Sequence, residues 1–361
     1  MPDLSSLPID QLCRLGGSLA FSVDNALTLS IIRRHGHEAA ETIQFNVLRS
    51  HQKDFFLPGL KKLGLDEEAS DAVRCAKYHF LSNALGGLRV TYAEESSDKA
   101  WIVYETPYWV DSPWHPSIAV ASFRPEMLIE TMRAWHANNG AMLDNPGLAF
   151  VMTEMVTAGG ARDAGYFIDT HRILEPSERL QVRLDEGVPP GLDLRGPAFD
   201  PAIWPLERQA KAWRNFSVAY VGGRLHWMLE ALGEDETAAV FEHALRLTIL
   251  QHRERIHDLL APMAETGPAR AAALWAAWHS AWGDEVETAK GPKGAVTGTV
   301  RRSRLHEVGE FQPPARPLPA SLERAAANAW TTVAAYDCPG VATATEGTMS
   351  DDRHPWRFVF S

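Results

Sequence analysis

Four histidines recur in register along this chain. His51 and His79 lie 28 residues apart, and His252 and His279 lie 27 apart. Imidazole titrates near neutrality and is a common metal ligand. A pair on neighbouring helices is therefore a candidate acid–base pair, or part of a site for a divalent transition metal. A metal would need a third ligand, for which Glu38, Glu41 and Glu242 are candidates by type. The competing reading is a packed, hydrogen-bonded helix histidine kept in both halves of the chain.

A second cluster is Tyr104-Glu-Thr-Pro-Tyr-Trp-Val-Asp-Ser-Pro-Trp-His-Pro116. Tyr108, Trp109 and Trp114 would pack a substrate, and His115 would transfer a proton at the exit of a strand. The plainer reading is a hydrophobic loop that packs on the linker. The later half carries Gln312 to Pro319 in its place, so the first half is the favoured site. Glu154 falls in a predicted strand. If it faces a pocket, burial would raise its pKa and suit a general base; otherwise it faces solvent. Glu346 repeats it. Asp163, Asp169, His171 and His354 are weaker candidates of the same kind.

The elements that must position these residues form a diverged tandem repeat. Ser18–Phe21 matches Ser217–Tyr220, Lys77–His79 matches Ala277–His279, and Ala134-Trp135 matches Ala329-Trp330. Pro146–Ala149 matches Pro339–Ala342, and Thr153-Glu154 matches Thr345-Glu346. The matches keep chain order and their offset drifts by only a few residues, which chance matches would not do. The expected division is 1–180 as a first repeat and probable active half, 181–213 as a Pro/Gly-rich linker, and 214–361 as a second, diverged repeat.

Within one repeat, apolar residues spaced four apart (Leu19, Val23, Leu27, Ile31) predict a helix over 16–34. Further helices are expected over 37–57, ended or bent by Pro58-Gly59, and over 66–85. Strands at 88–92 and 101–104, a helix over 125–138, and strands at 150–157 and 165–168 follow. The second half repeats this order, with helices over 241–260, 268–282 and 321–336. The fold class is α+β: two homologous halves, each with helices followed by an antiparallel sheet, packed as a pseudo-twofold pair.

Composition bounds the function. The chain has 361 residues, 45% of them hydrophobic and 22% charged, which fits a globular protein of about two domains. Its 35 Lys and Arg against 46 Asp and Glu give a net charge of −11, which argues against nucleic acid and anionic membrane as partners. Cys13, Cys75 and Cys338 are too far apart for a zinc or redox motif and suit buried thiols in a reducing compartment. The N-terminus lacks signal-peptide character, and no run of about 18 uninterrupted apolar residues predicts a membrane span. The cytoplasm is the expected location. Dinucleotide, P-loop, zinc-protease and serine-elbow motifs are all missing, so no organic cofactor is expected. Twelve tryptophans suit walls for a flat ligand. Trp275, Trp278 and Trp282, at helical spacing, read as core.

The first half resembles the L-2-amino-thiazoline-4-carboxylic acid hydrolase-like family, itself similar to vinyl-reductase-type ligand-binding domains. The residues that carry this are Ala100–Pro107, the helix Met127 to Ala137, Pro146–Leu148, Phe150–Thr153 and the closing strand Gly165–Asp169. The resemblance implies opening of a small heterocycle by hydrolysis, or ligand binding alone. Thr106-Pro107 stands where the family has Cys-Pro, and Tyr166-Phe167 stands in the region of its second cysteine. The fold transfers more readily than thiol chemistry.

The expectation is an enzyme acting on a small cyclic or aromatic molecule, a hydrolase or lyase using His and carboxylate groups. A non-catalytic sensor and a metal-dependent enzyme with histidine ligands are the alternatives. The partner is a small-molecule substrate, and the oligomeric state is left open.

Overall fold

The structure is a computed structural model that describes residues 8–68, 70–109, 123–259, 266–306, 318–347 and 356–361. Trp114, His115 and His354 lie outside the described residues, as does the side chain of Trp109. The chain divides into two units. Residues 32–205 form the first, and residues 8–31 join the described residues from 206 onward in the second.

In the first unit, helices α2 (His37–Lys62) and α3 (Asp71–Leu85) precede the hairpin β1 (Leu88–Ser96) and β2 (Lys99–Trp109). Helix α4 (Pro125–Ala134) and strands β3 (Leu148–Glu154) and β4 (Asp163–Asp169) follow. The sheet runs β1-β2-β4-β3-β5, antiparallel except for β5 (Leu180–Val182), which lies parallel to β3. Side chains alternate between faces along a strand. On one face Ala93, Trp101, Val151 and Tyr166 are covered by Val188, Leu192 and Leu194, so the predicted linker wraps the sheet. On the other, Phe150 and Phe167 pack against His136.

Of the two outcomes open at Pro58, an end or a bend, the helix does not end there but runs on to Lys62. Phe56 and Leu60, one turn apart, are both buried and hold the last turn against the core. The Tyr78 hydroxyl donates to the Phe55 carbonyl (3.3 Å) beside the break that proline makes in the helix ladder.

The second unit begins with α1 (Ile9–His35) and α5 (Leu206–Leu232), the latter starting inside the span expected to be linker. Helices α6 (Glu234–Leu259) and α7 (Gly267–Trp282), the hairpin β6 (Glu285–Lys290) and β7 (Val296–Arg302), α8 (Ala320–Asp337), β8 (Thr343–Glu346) and β9 (Trp356–Phe360) complete it. Its sheet runs β6-β7-β9-β8, all antiparallel. This is the strand order of β1-β2-β4-β3. The fold is α+β, with helices and an antiparallel-rich sheet in each unit.

Contacts place residues up to 31 with the C-terminal half rather than with the rest of the first repeat. Glycines and one ion pair account for this. A Cβ on Gly16 would sit 1.9 Å from the Ala281 carbonyl oxygen, and one on Gly17 would sit 2.8 Å from Trp213. Asp24 and Arg224, both buried, pair through two hydrogen bonds, one of them 2.9 Å from Nη2 to Oδ2. Helix α1 is also long and apolar enough to cross a membrane by length and composition, but 67% of its apolar window is buried in the protein.

Candidate functional site

The first unit carries a buried polar chain. Arg49 donates to the Gln52 carbonyl oxygen. Gln52 Nε2 donates to Asn139 Oδ1 (2.8 Å) and to the Trp135 carbonyl (2.9 Å), and Asn139 Nδ2 pairs with His79 Nε2 (2.8 Å). His79 stacks on His136 with ring centroids 3.8 Å apart. His136 Nε2 meets the Tyr104 hydroxyl at 3.2 Å, and that hydroxyl also accepts from Asn83 (3.3 Å). His51 lies on the far side of Trp135, whose ring centroid is 5.2 Å from His51 and 6.0 Å from His79.

This surrounding fixes the charge of all three rings. Burial pulls His51 and His136 down to about 3. Burial, reinforced by His136, pulls His79 well below its ordinary value. They are neutral at physiological pH and act as packed, hydrogen-bonded rings. Among the described residues, no group of three or more His, Cys, Asp or Glu side chains could hold a metal ion.

Tyr108 Oη donates to Asp163, and the Val156 N–H donates to the other carboxylate oxygen at 2.7 Å. Asp163 is buried, and burial raises its pKa. Glu154 closes the turn after β3, accepting from the Ala161 N–H (2.9 Å) and from Arg162 (3.2 Å). It serves the turn.

The second unit differs. Helix α7 ends in a left-handed glycine, Gly283 (φ 85). The Gly283 N–H bonds the Ser280 carbonyl (3.0 Å), and the Asp284 N–H bonds the His279 carbonyl (2.9 Å). This helix-ending motif folds the chain back on its last turn. It sets Asp284 Oδ2 2.6 Å from His279 Nδ1, with both side chains buried. The other oxygen, Oδ1, accepts the Arg304 N–H at 2.7 Å. A carboxylate accepts, so His279 Nδ1 carries a proton toward Asp284 and Nε2 is the nitrogen left for other contacts. Nε2 is buried and has no hydrogen-bond partner among the described residues.

His279 and Asp284 line a pocket with Phe241, Leu245, Trp278, Trp282, Trp330 and Glu323. Ser303 completes its polar lining. The cavity volume is about 30 Å3, room for one or two water-sized groups. Trp282 Nε1 and Ser303 Oγ, like His279 Nε2, are buried there without a partner among the described residues. His252, the expected companion of His279, instead meets Ser22 Oγ on α1 at 3.1 Å.

Of the predicted residues, His51 and His79 share a wall of Trp135, and Tyr108 and Glu154 hold local structure. His279 alone has an ionisable partner and faces a pocket. Sequence reasoning missed Asp284, Ser303, His136, Asn139 and Gln52. One signal for Asp284 was available: His279-Ser-Ala-Trp-Gly-Asp284 places a glycine stop and a carboxylate just beyond a helical histidine. Comparison with family models, with curated proteins and with solved structures finds no match to this chain.

Proposed function

We propose that this protein is a hydrolase of small, largely apolar molecules, with His279 as general base and Asp284 holding its ring. The observation that carries this is the 2.6 Å bond from His279 Nδ1 to Asp284, with Nε2 unpartnered at the pocket. A carboxylate behind an imidazole fixes the tautomer and stabilises the imidazolium that forms when Nε2 takes a proton. The tryptophan walls suit an apolar or aromatic body, and the few polar groups among them suit the reacting group.

The working half is thus the second repeat, with the first acting as its structural counterpart. The shared strand order supports a tandem duplication, and the resemblance to the thiazoline-carboxylate hydrolase-like family enters only at the level of fold. The cysteines Cys13, Cys75 and Cys338 are free and buried, which suits the reducing cytoplasm.

The test is turnover of p-nitrophenyl acetate and of small aryl esters and amides. Wild type is expected to exceed the buffer rate, and His279→Ala to lose about 10²–10⁴-fold. Equal rates in the two proteins would overturn the reading. Tryptophan-fluorescence binding of aromatic ligands without turnover would favour a sensor instead.

A further inference from the structure

We propose that Ser303 is the nucleophile of this pocket, making the chemistry covalent acyl transfer from a small ester. This rests on the reading of His279 as general base. Ser303 immediately follows β7, is 4% exposed, and its hydroxyl has no partner among the described residues. A hydroxyl left unpaired in an apolar lining is costly unless a ligand or a proton acceptor meets it. His279, whose Nε2 is likewise buried without a partner among the described residues, lines the same pocket. Asp284 ties the two together. One oxygen of its carboxylate takes the His279 N–H, and the other takes the N–H of Arg304, the residue next to Ser303. A single buried group therefore positions both the ring and the backbone that carries the hydroxyl. Trp282 Nε1, an unpartnered donor in the same lining, supplies a hydrogen bond to a developing oxyanion.

The step balances without any further reagent. Ser303 Oγ attacks the ester carbonyl carbon while His279 Nε2 takes its proton. The carbonyl electrons return, the bond to the alcohol oxygen breaks, and His279 returns the proton to the departing alkoxide. Water then attacks the acyl-serine and gives a proton to His279. The acyl–oxygen bond breaks, and the proton restores the serine hydroxyl as the carboxylic acid leaves.

Methanesulfonyl fluoride tests this on the full chain, because it is small and marks an activated serine. Ser303 Oγ displaces fluoride at sulfur, and His279 takes the proton. Intact mass and peptide mapping are expected to find one methanesulfonyl group on Ser303, absent in Ser303→Ala and slowed at least about 100-fold in His279→Ala. Ser303→Ala should also lose p-nitrophenyl acetate turnover with its far-UV spectrum unchanged. An unlabelled Ser303 in wild type overturns the proposal, whether or not the alanine variant folds. If Ser303→Ala keeps turnover that His279→Ala loses, the nucleophile is water and the general-base reading stands alone. If both variants turn over like wild type, both readings fall.

Discussion

One residue type, placed 200 positions apart, has two different chemistries here. His79 Nε2 meets an amide and the ring lies between other rings, in a setting that keeps it neutral. His279 has a carboxylate behind it and a free nitrogen in front. The variant Asp284→Asn should separate the two effects of the carboxylate. Asparagine preserves shape but removes the charge that holds the imidazolium. Ester turnover should fall by about 10²–10⁴-fold, read as initial rates. The matching change in the first unit, Asn139→Ala, should leave turnover unchanged. It takes the partner from His79 Nε2 and one of the two acceptors from Gln52 Nε2 inside the core, and should lower stability by about 1–3 kcal/mol in urea unfolding.

At the scale of elements, what separates the two histidines is where their helices stop. Helix α7 stops at Gly283, four residues past His279, and the stop returns Asp284 to the ring. Helix α3 runs on to Leu85, and its left-handed glycine, Gly87, comes eight residues past His79. The side chain one turn beyond His79 is Asn83, which bonds the His79 carbonyl at 2.7 Å. One extra helical turn has removed any carboxylate from that position. Gly283→Ala tests the link. A Cβ at φ 85 is strained and would also lie 2.7 Å from the Arg214 guanidinium carbon. We expect a loss of about 1–2 kcal/mol, seen as a lower Tm, with ester turnover falling together with it as Asp284 shifts.

For the whole molecule, acid should act first on the unit formed by residues 32–205. His51 and His136 are held at about 3 in the fold, against an ordinary value of about 6.5 in an open chain. Their folded pKa values are lowered, so the stability they permit is complete above about pH 6.5. It falls as pH drops toward 3, because the unfolded chain takes up protons that the fold refuses. The expected slope is about 1.4 kcal/mol per histidine per pH unit below about pH 6. Urea midpoints at pH 7, 6 and 5 read this, and His136→Phe should flatten the curve. In the second unit the buried Asp24–Arg224 pair ties α1 to α5. Asp24→Ala leaves a guanidinium buried beside the lost carboxylate and should cost about 3 kcal/mol in urea unfolding, with no such effect from an exposed pair such as Glu287–Arg301.

The α+β class and most helix and strand positions were legible in the sequence, because hydrophobic spacing and glycine or proline stops act locally. The histidines were legible as residue types at repeated positions, and His279 among them. Packing settled what local rules left open or placed otherwise. Pro58 sits inside α2 because Phe56 and Leu60 hold the last turn, and α1 joins the C-terminal half because Gly16, Gly17 and Asp24 fit partners there. Tertiary structure decided what faces each ring. A proton-transfer group depends on what lies within about 3 Å of each ring nitrogen. For His79 that neighbour comes from a residue 60 positions away, and for His279 from a carboxylate returned by the end of its own helix.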